Sequence, residues 1–116
     1  MRILSQEGLV YSDVPYENCA IRVFANVFSG GAEWDIEAYT YRQTHNMAKY
    51  SSEEKAEKAM DMLHDAYKLY KLYNSLGTME KSAMLSVYTK EEKERLCGIF
   101  QFPSEKELET ENNQET

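Results

Sequence analysis

The stretch that decides the fold is YSSEEKAEKAMDMLHDAYKLYKLYNSLG, which runs from Tyr50 to Gly77. Its apolar residues recur every three or four positions, and this spacing predicts a helix from Ser52 to Leu76. Ser51 followed by Glu54 has the spacing of a capping box at the start of that helix. Gly77 follows the last apolar residue, where a glycine commonly ends a helix. The helix would be ~37 Å long at ~1.5 Å per residue.

The two halves of this helix differ in how their apolar residues are distributed. From Ala56 to Leu63 there is a single apolar stripe, which predicts packing on one sheet. From Ala66 to Leu76 the helix is apolar nearly all round, so one sheet cannot cover it. We expect either a second copy of the chain, giving a homodimer or higher homo-oligomer through the long helix, or a fold-back of Thr78–Cys97 over this half.

The residues before the helix have the pattern of a hairpin. Gly30 and Gly31 suit a two-residue loop, and Ser29 would then pair with Ala32. This register pairs Val27 with Trp34, Ala25 with Ile36 and Val23 with Ala38 on one face, and Arg22 with Tyr39, Phe24 with Glu37 and Asn26 with Asp35 on the other. Strands are predicted at Met1–Gln6, Leu9–Val14, Cys19–Phe28, Ala32–Tyr41 and Met47–Tyr50.

The order of elements predicts an α+β fold. We expect an antiparallel sheet of about four strands, then the long helix, a short helical excursion and a terminal strand at Ile99–Pro103. Residues 1–103 would form a single α+β domain, and residues 104–116 an acidic disordered tail. A second capping box, Thr89 with Glu92, is expected to begin a short helical segment before Gly98.

The charge and cysteine content limit the partners. The net charge is −7, of which five glutamates and one lysine in residues 104–116 account for −4, leaving −3 for residues 1–103. An acidic chain without a basic patch disfavours nucleic-acid polymers, although two or three cations suffice for a small nucleotide. Cys19 and Cys97 are far apart, and neither a signal peptide nor an apolar run of ~18 residues is present. We expect a reduced cytoplasmic protein without a membrane partner.

No arrangement of residues typical of catalysis or metal binding is recognisable. His45 and His64 stand apart in sequence, and a surface or hydrogen-bonded histidine explains each of them. Asp61 and Asp65 lie one helical turn apart and are expected on a solvated face. We therefore predict no enzymatic activity, no metal and no cofactor.

A binding role has more support from the residue types. The outer face of the hairpin carries Arg22, Phe24 and Tyr39, with Arg42 just beyond it. An arginine can hold a phosphate and an aromatic ring can stack on a base. The alternative is that Arg22 stacks on Tyr39 across the two strands. Phe100 and Phe102 are in turn expected in the core, with Gln101 as an edge residue or a ligand contact.

Four segments of the chain resemble one family of small proteins. They are the opening MRILSQEG, the DVPYE at Asp13–Glu17, the YSSEEKAEKAMDML of the long helix and the closing FQFPSEKELE. This combination is similar to proteins encoded by phages and prophages of Gram-positive bacteria, and it covers most of the chain except Leu72–Gly98. Within this group the chain resembles the Thoeris anti-defence proteins of the first type.

The resemblance implies a viral counter-defence protein in the host bacterial cytoplasm. Such a protein binds and sequesters a TIR-generated cyclic ADP-ribose signal of the gcADPR type without cleaving it, and thereby blocks Thoeris antiphage immunity. It also implies a dimer through the long helix, with two ligand pockets between protomers. Gln101 departs from expectation, because a phosphate-binding arginine would suit its position better.

The ligand residues expected from chemistry alone fall into three groups. Arg22 and Arg42 would hold phosphates, Tyr39 and Phe102 would stack on base or ribose, and Asn74 and Gln101 would make polar contacts. Two other functions fit the same sequence. One is a phage inhibitor that binds a host defence protein, like an anti-CRISPR, and the other is a small assembly protein.

Overall fold

The chain folds as α+β, with two small sheets and one long helix. The computed structural model describes residues 1–109. The strands are β1 (Arg2–Leu4), β2 (Asp13–Pro15), β3 (Ala20–Phe28), β4 (Gly31–Tyr39), β5 (Thr44–Tyr50) and β6 (Ile99–Gln101). The helices are α1 (Glu53–Asn74), α2 (Thr78–Leu85) and α3 (Lys90–Leu96), with a 3-10 turn at Tyr16–Asn18.

The strands form two three-stranded sheets rather than one sheet of about four strands. The first has the order β2-β1-β6, with β2 antiparallel and β6 parallel to β1. The second has the order β3-β4-β5 and is antiparallel throughout. The predicted terminal strand is present as β6, and it pairs with β1. The first strands therefore separate from the hairpin and make their own sheet.

Gln6 connects the two sheets. Its backbone N–H donates to Met47 O at 2.6 Å, and its side-chain oxygen accepts from the N–H of Lys49 at 3.0 Å. Its side-chain amide donates to Pro103 O, which also accepts from the Tyr50 hydroxyl at 2.7 Å. Gln6 thus satisfies the free edge of β5 and fixes that edge beside the first sheet.

The predicted hairpin is present, but its loop is one residue earlier than expected. Phe28 faces Gly31, so the two loop residues are Ser29 and Gly30. Every predicted pair is displaced by two positions, which leaves each side chain on its predicted face because alternate residues share a side. Gly31, with φ 146°, is the first residue of β4 and lies outside the loop. The predicted register is therefore wrong, and the predicted faces are confirmed.

The long helix is confirmed, with different signals at its ends. Its N-cap is Ser52, whose hydroxyl accepts from the N–H of Lys55, because the N–H of Ser51 donates to Glu105 instead. At the other end Ser75 is the C-cap. Gly77 lies beyond, with φ −74°, and precedes α2. Neither the Ser51–Glu54 box nor the Gly77 terminator is therefore used. At the start of α3 the Thr89 hydroxyl accepts from the N–H of Glu92 and donates to the Glu92 carboxylate, so the N-cap half of the predicted Thr89–Glu92 box is present.

The core lies between α1 and both sheets. The first half of α1 packs through one stripe, as expected, and α3 packs against the second half, so the fold-back expected as an alternative is present in part. Leu72 nonetheless remains 52% exposed. The buried residues of this core include Ile3, Val14, Ile36, Met47, Tyr50, Ala59, Leu63, Phe100, Phe102 and Leu108.

The predicted disorder from residue 104 onward is wrong for the residues that the structure describes. Residues 105–109 are helical, and the N–H of Glu107 donates to the Ser104 hydroxyl in the manner of an N-cap. Leu108 is fully buried, which anchors this segment in the core. The remainder of the expected tail, residues 110–116, lies outside the described residues.

Candidate functional site

Arg22 and Tyr39 meet on the outer face of the second sheet, in the arrangement expected as the alternative to ligand binding. The Arg22 guanidinium lies 4.7 Å from the ring centre of Phe24 and 5.7 Å from that of Tyr39. The Tyr39 hydroxyl donates to Glu37 at 2.7 Å, and this hydrogen bond raises the pKa of Tyr39. The arginine therefore covers both rings and faces a carboxylate across the strands, which disfavours an anion here.

Arg42 and Asn74 lie in two other parts of the molecule. Arg42 stacks on the neighbouring Tyr41, 5.3 Å from its ring centre, in the turn between β4 and β5. Asn74 is the last residue of α1, and its side-chain amide donates to Tyr70 O at 2.9 Å. Each side chain thus has a local partner, and neither is seen in contact with Arg22.

Of the two ligand residues expected at the end of β6, Gln101 is exposed and Phe102, just after the strand, is buried. Gln101 is exposed and its side-chain amide donates to Ser5 O at 3.1 Å. Phe102 is only 1% exposed and packs edge-to-face on Phe100, with ring centres 5.4 Å apart. The expectation that both phenylalanines belong to the core is confirmed. Phe102 therefore presents no ring face to a ligand in this fold.

Another group of polar and aromatic side chains lines an open cleft between α1 and the 3-10 turn. This cleft has a volume of about 940 Å³. It brings together two rings, one imidazole, two ammonium groups and two carboxylates. The residues that line it are Tyr16, Asp61, His64, Asp65, Tyr67, Lys68 and Lys71.

The helix supplies six of these side chains because their spacing places them on neighbouring faces. Asp61 and Asp65 are four residues apart, and so are His64 and Lys68, with three-residue steps from Asp61 to His64 and from Asp65 to Lys68. Tyr67 and Lys71 are likewise four residues apart. Residues at such spacings are neighbours on a helix surface, so the cleft has a continuous polar wall.

Tyr16 borders the cleft on the side of the 3-10 turn. Its backbone N–H donates to Met1 O at 2.9 Å, which fixes the turn against β1. Its ring meets Tyr67 edge-to-face with centres 4.1 Å apart, and its hydroxyl is hydrogen-bonded to His64 Nδ1 at 3.1 Å. Partial burial, with a contribution from Tyr67, raises the pKa of Tyr16, so this hydroxyl stays protonated at neutral pH.

The charges of the cleft balance. Lys68 and Lys71 carry two positive charges, and Asp61 and Asp65 carry two negative ones. Burial opposes ionisation of the nearby Glu17, but its hydrogen bonds to the Met1 amino group outweigh that effect and lower its pKa, and Lys71 contributes. Such a mixed wall suits a ligand that has both anionic groups and hydroxyls, since ammonium groups attract phosphates and carboxylates accept from hydroxyls.

His64 was expected as a surface or hydrogen-bonded histidine and the two aspartates on a solvated face; all three are exposed, and His64 is hydrogen-bonded to Tyr16. Their grouping with Tyr67 in one cleft was not expected, because Tyr67 was assigned to the apolar half of the helix. The sequence does not show that Tyr16 lies beside His64, because the two are 48 positions apart. With Tyr16 in that place, this face of the helix forms one wall of a cleft. The DVPYE segment, which contains Tyr16, is the sequence signal that pointed closest to it.

Metal and membrane signals are not found in residues 1–109. No group of three or more histidine, cysteine, aspartate or glutamate side chains is arranged there to hold a metal ion. No helix in that range is long and apolar enough to cross a membrane.

Comparisons of this chain with protein-family models, with curated proteins and with solved structures found no match in any of the three.

Proposed function

We propose that this protein binds and sequesters a small cyclic nucleotide of the cyclic ADP-ribose class, without cleaving it. The resemblance of the sequence to Thoeris anti-defence proteins suggests the ligand, a TIR-generated signal of the gcADPR type. The observation that carries the proposal is the cleft between Tyr16 and α1. Its volume of about 940 Å³ lies within the range of small-molecule sites.

The side chains of the cleft match the groups of such a ligand. Lys68 and Lys71 would hold the diphosphate, and Asp61 or Asp65 would accept hydrogen bonds from ribose hydroxyls. The ring of Tyr67 would contact the base. We prefer this cleft to the face around Arg22, where the guanidinium already covers Tyr39 and Phe24.

The biological setting is part of the same proposal. A protein that holds the signal of an antiphage system would act in the cytoplasm of the infected bacterium, as the resemblance implies. Its capacity would depend on the number of protein copies, because each site holds one ligand and releases it unchanged. The homodimer through the long helix that the sequence led us to expect would place the half-exposed Leu72 in its interface, and it competes with the strand pairing proposed below.

Thermal unfolding with and without ligand tests the proposal. Cyclic ADP-ribose and its glycocyclic isomers are added separately to the full chain. A ligand at a hundredfold excess over its Kd stabilises the folded state by about 2.7 kcal/mol, which raises the Tm by several degrees. If no isomer raises the Tm, the proposed function is wrong.

Two pairs of lysine substitutions locate the site. We expect K68Q with K71Q to abolish the ligand-induced shift, because the phosphates lose both cations. The control pair, K90Q with K93Q, removes two exposed lysines from α3 and should leave the shift intact. Mass spectrometry of the ligand recovered after denaturation should show the intact ring. Recovery of linear ADP-ribose would contradict sequestration without cleavage.

A further inference from the structure

The free edge of β3 is an interaction surface that the proposed nucleotide site does not use. β3 is an edge strand of the sheet β3-β4-β5, and nine consecutive residues pair with β4 without a bulge. Among residues 1–109, its backbone makes no hydrogen bond to any backbone other than that of β4. The opposite edge, on β5, is satisfied by Gln6. One edge of this sheet is therefore hydrogen-bonded by Gln6, whereas the outer backbone groups of the other edge have no backbone partner among residues 1–109.

The sequence of β3 has few of the usual protections of an edge. AIRVFANVF contains no proline, no lysine and a single charge, Arg22. Natural proteins usually protect a free edge with such residues, with bulges or with a covering element, because an unprotected edge pairs with another strand. Near its end, Val27 is 76% and Phe28 53% exposed. Two large apolar side chains thus lie beside unpaired backbone groups.

The hairpin geometry determines which backbone groups are free. Phe28 and Gly31 close the two-residue turn and form a hydrogen-bonded pair. Because hydrogen-bonded and non-hydrogen-bonded positions alternate along an antiparallel pair, the even-numbered residues of β3 bond to β4. The odd-numbered residues direct their N–H and C=O groups outward. They are Ile21, Val23, Ala25 and Val27.

We propose that two copies of this chain pair through β3, antiparallel across a two-fold axis at Phe24, and form one continuous six-stranded sheet. In this register Ile21 faces Val27 of the second copy, and Val23 faces Ala25 of the second copy. All four outward-facing residues then meet each other in hydrogen-bonded pairs. The complete overlap provides about eight backbone hydrogen bonds.

Side-chain pairing in this register favours a second copy over an unrelated strand. Apolar residues meet on the inner face, where Ile21 covers the exposed Val27. On the outer face Arg22 meets Asn26 of the second copy, so the two arginines do not oppose each other. Asn26 pairs with Glu33 and donates to Asp35, so each arginine would approach the acidic residues of the other copy's β4.

Asp35 supplies a further reason for a partner on this face. It is 4% exposed, and its Oδ1 is a buried oxygen without a hydrogen-bond partner among the described residues. Lys49 approaches its other oxygen only to 3.9 Å. An added guanidinium near β4 would compensate this carboxylate.

Light scattering of the full chain after size-exclusion chromatography tests the pairing. We expect a mass of about twice 13.5 kDa. V27K should give a monomer, because it places a charge opposite Ile21 of the second copy. The matched control is V87K, since Val87 is 78% exposed and lies outside the hairpin. A25P should also give a monomer, because it removes an outward N–H that β4 does not use.

Disulfide formation tests the register. In a C19S/C97S background, F24C should form a disulfide-linked dimer on oxidation, because directly opposed residues in a non-hydrogen-bonded pair have Cα atoms about 4.5 Å apart. N26C should not, because it would face Arg22 of the second copy rather than itself.

Three results would overturn the proposal. The first is a monomer at every concentration up to about 1 mM. The second is a dimer that persists in V27K and in A25P. The third is a dimer lost in L72K but kept in V27K, which would place the contact on α1. Circular dichroism of each variant separates loss of pairing from loss of folding, and V27K changes a side chain that the monomer leaves exposed. None of these results depends on nucleotide binding.

Discussion

Gly98 joins α3 to β6 with a backbone conformation that side chains oppose. Its φ is +94°, and a Cβ atom there would lie 3.0 Å from the ring of Tyr70. Gly8 has a similar φ of +98°, but no atom lies within 4 Å of its would-be Cβ. The two glycines therefore separate backbone strain from crowding.

We expect G98A to lower the free energy of unfolding by about 2–4 kcal/mol. Left-handed strain contributes about 1–2 kcal/mol, and crowding against Tyr70 contributes the rest. G8A should show the strain alone. Urea denaturation measures both, and equal losses in the two variants would mean that Tyr70 moves away at little cost.

Asp35 should destabilise the fold at neutral pH. Burial raises its pKa, Lys49 opposes that effect, and Glu33 adds to it. A raised pKa means that the folded state binds the proton more tightly than the unfolded state. The contribution of Asp35 to stability is thus complete below its ordinary pKa and is lost as the pH rises through the raised value.

In the V27K background, where the strand pairing is expected to be lost, D35N should therefore raise the free energy of unfolding by about 1 kcal/mol at pH 7. The advantage should shrink toward zero near pH 3, where the Asp35 carboxyl is protonated in both states. Thermal unfolding at several pH values measures the difference. If V27K/D35N is less stable than V27K at pH 7, the carboxylate is compensated within the monomer.

At the scale of elements, the segment after β6 shows why amino-acid composition wrongly predicted disorder there. Its many glutamates are typical of disorder, yet one leucine in a suitable position is enough to anchor it. Its acidic residues also contact the beginning of α1: Glu105 accepts from Ser51 N–H at 2.6 Å, and Lys55 pairs with Glu109 at 2.9 Å. Hydrogen bonds from Ser51 lower the pKa of Glu105, and partial burial opposes this effect without reversing it. These contacts span 54 positions, which no local pattern reports.

L108A tests whether this segment belongs to the core. We expect a loss of about 2–5 kcal/mol in the free energy of unfolding, which is typical for truncation of a fully buried leucine. L72A, at a half-exposed position on α1, should cost much less than that. Urea denaturation compares them, and similar small losses would mean that residues 105–109 contribute little to the fold.

Elements whose apolar residues recur at a regular spacing could be predicted from the sequence. The elements that they pack against could not. The long helix follows from the spacing of its alanines and leucines, and the hairpin faces follow from strict alternation. The predicted register is wrong because both Ser29-Gly30 and Gly30-Gly31 contain a glycine that suits a tight turn. Side-chain facing did not distinguish the two registers, since a displacement by two positions preserves every face.

At the scale of the whole molecule, the candidate site was not predictable because it is formed between distant segments. Arg22 and Tyr39 were expected together and are together, since one hairpin carries both. The cleft instead needs Tyr16 opposite His64, an arrangement that depends on how the first sheet lies beside α1. Residue types suggested contacts to phosphates and bases, whereas the position of the cleft depends on the packing.

The order of the first sheet has a consequence for how the chain acquires its structure. β1 lies between β2 and β6, and Gln6 contacts Pro103 across 97 positions. On a ribosome, β1 must wait until β6 has been synthesised, whereas β3, β4 and β5 can pair as soon as they emerge. Contacts between distant residues also slow folding, because long loops must close first. The hairpin sheet should therefore fold early, and the β1–β6 pairing should complete the native state last.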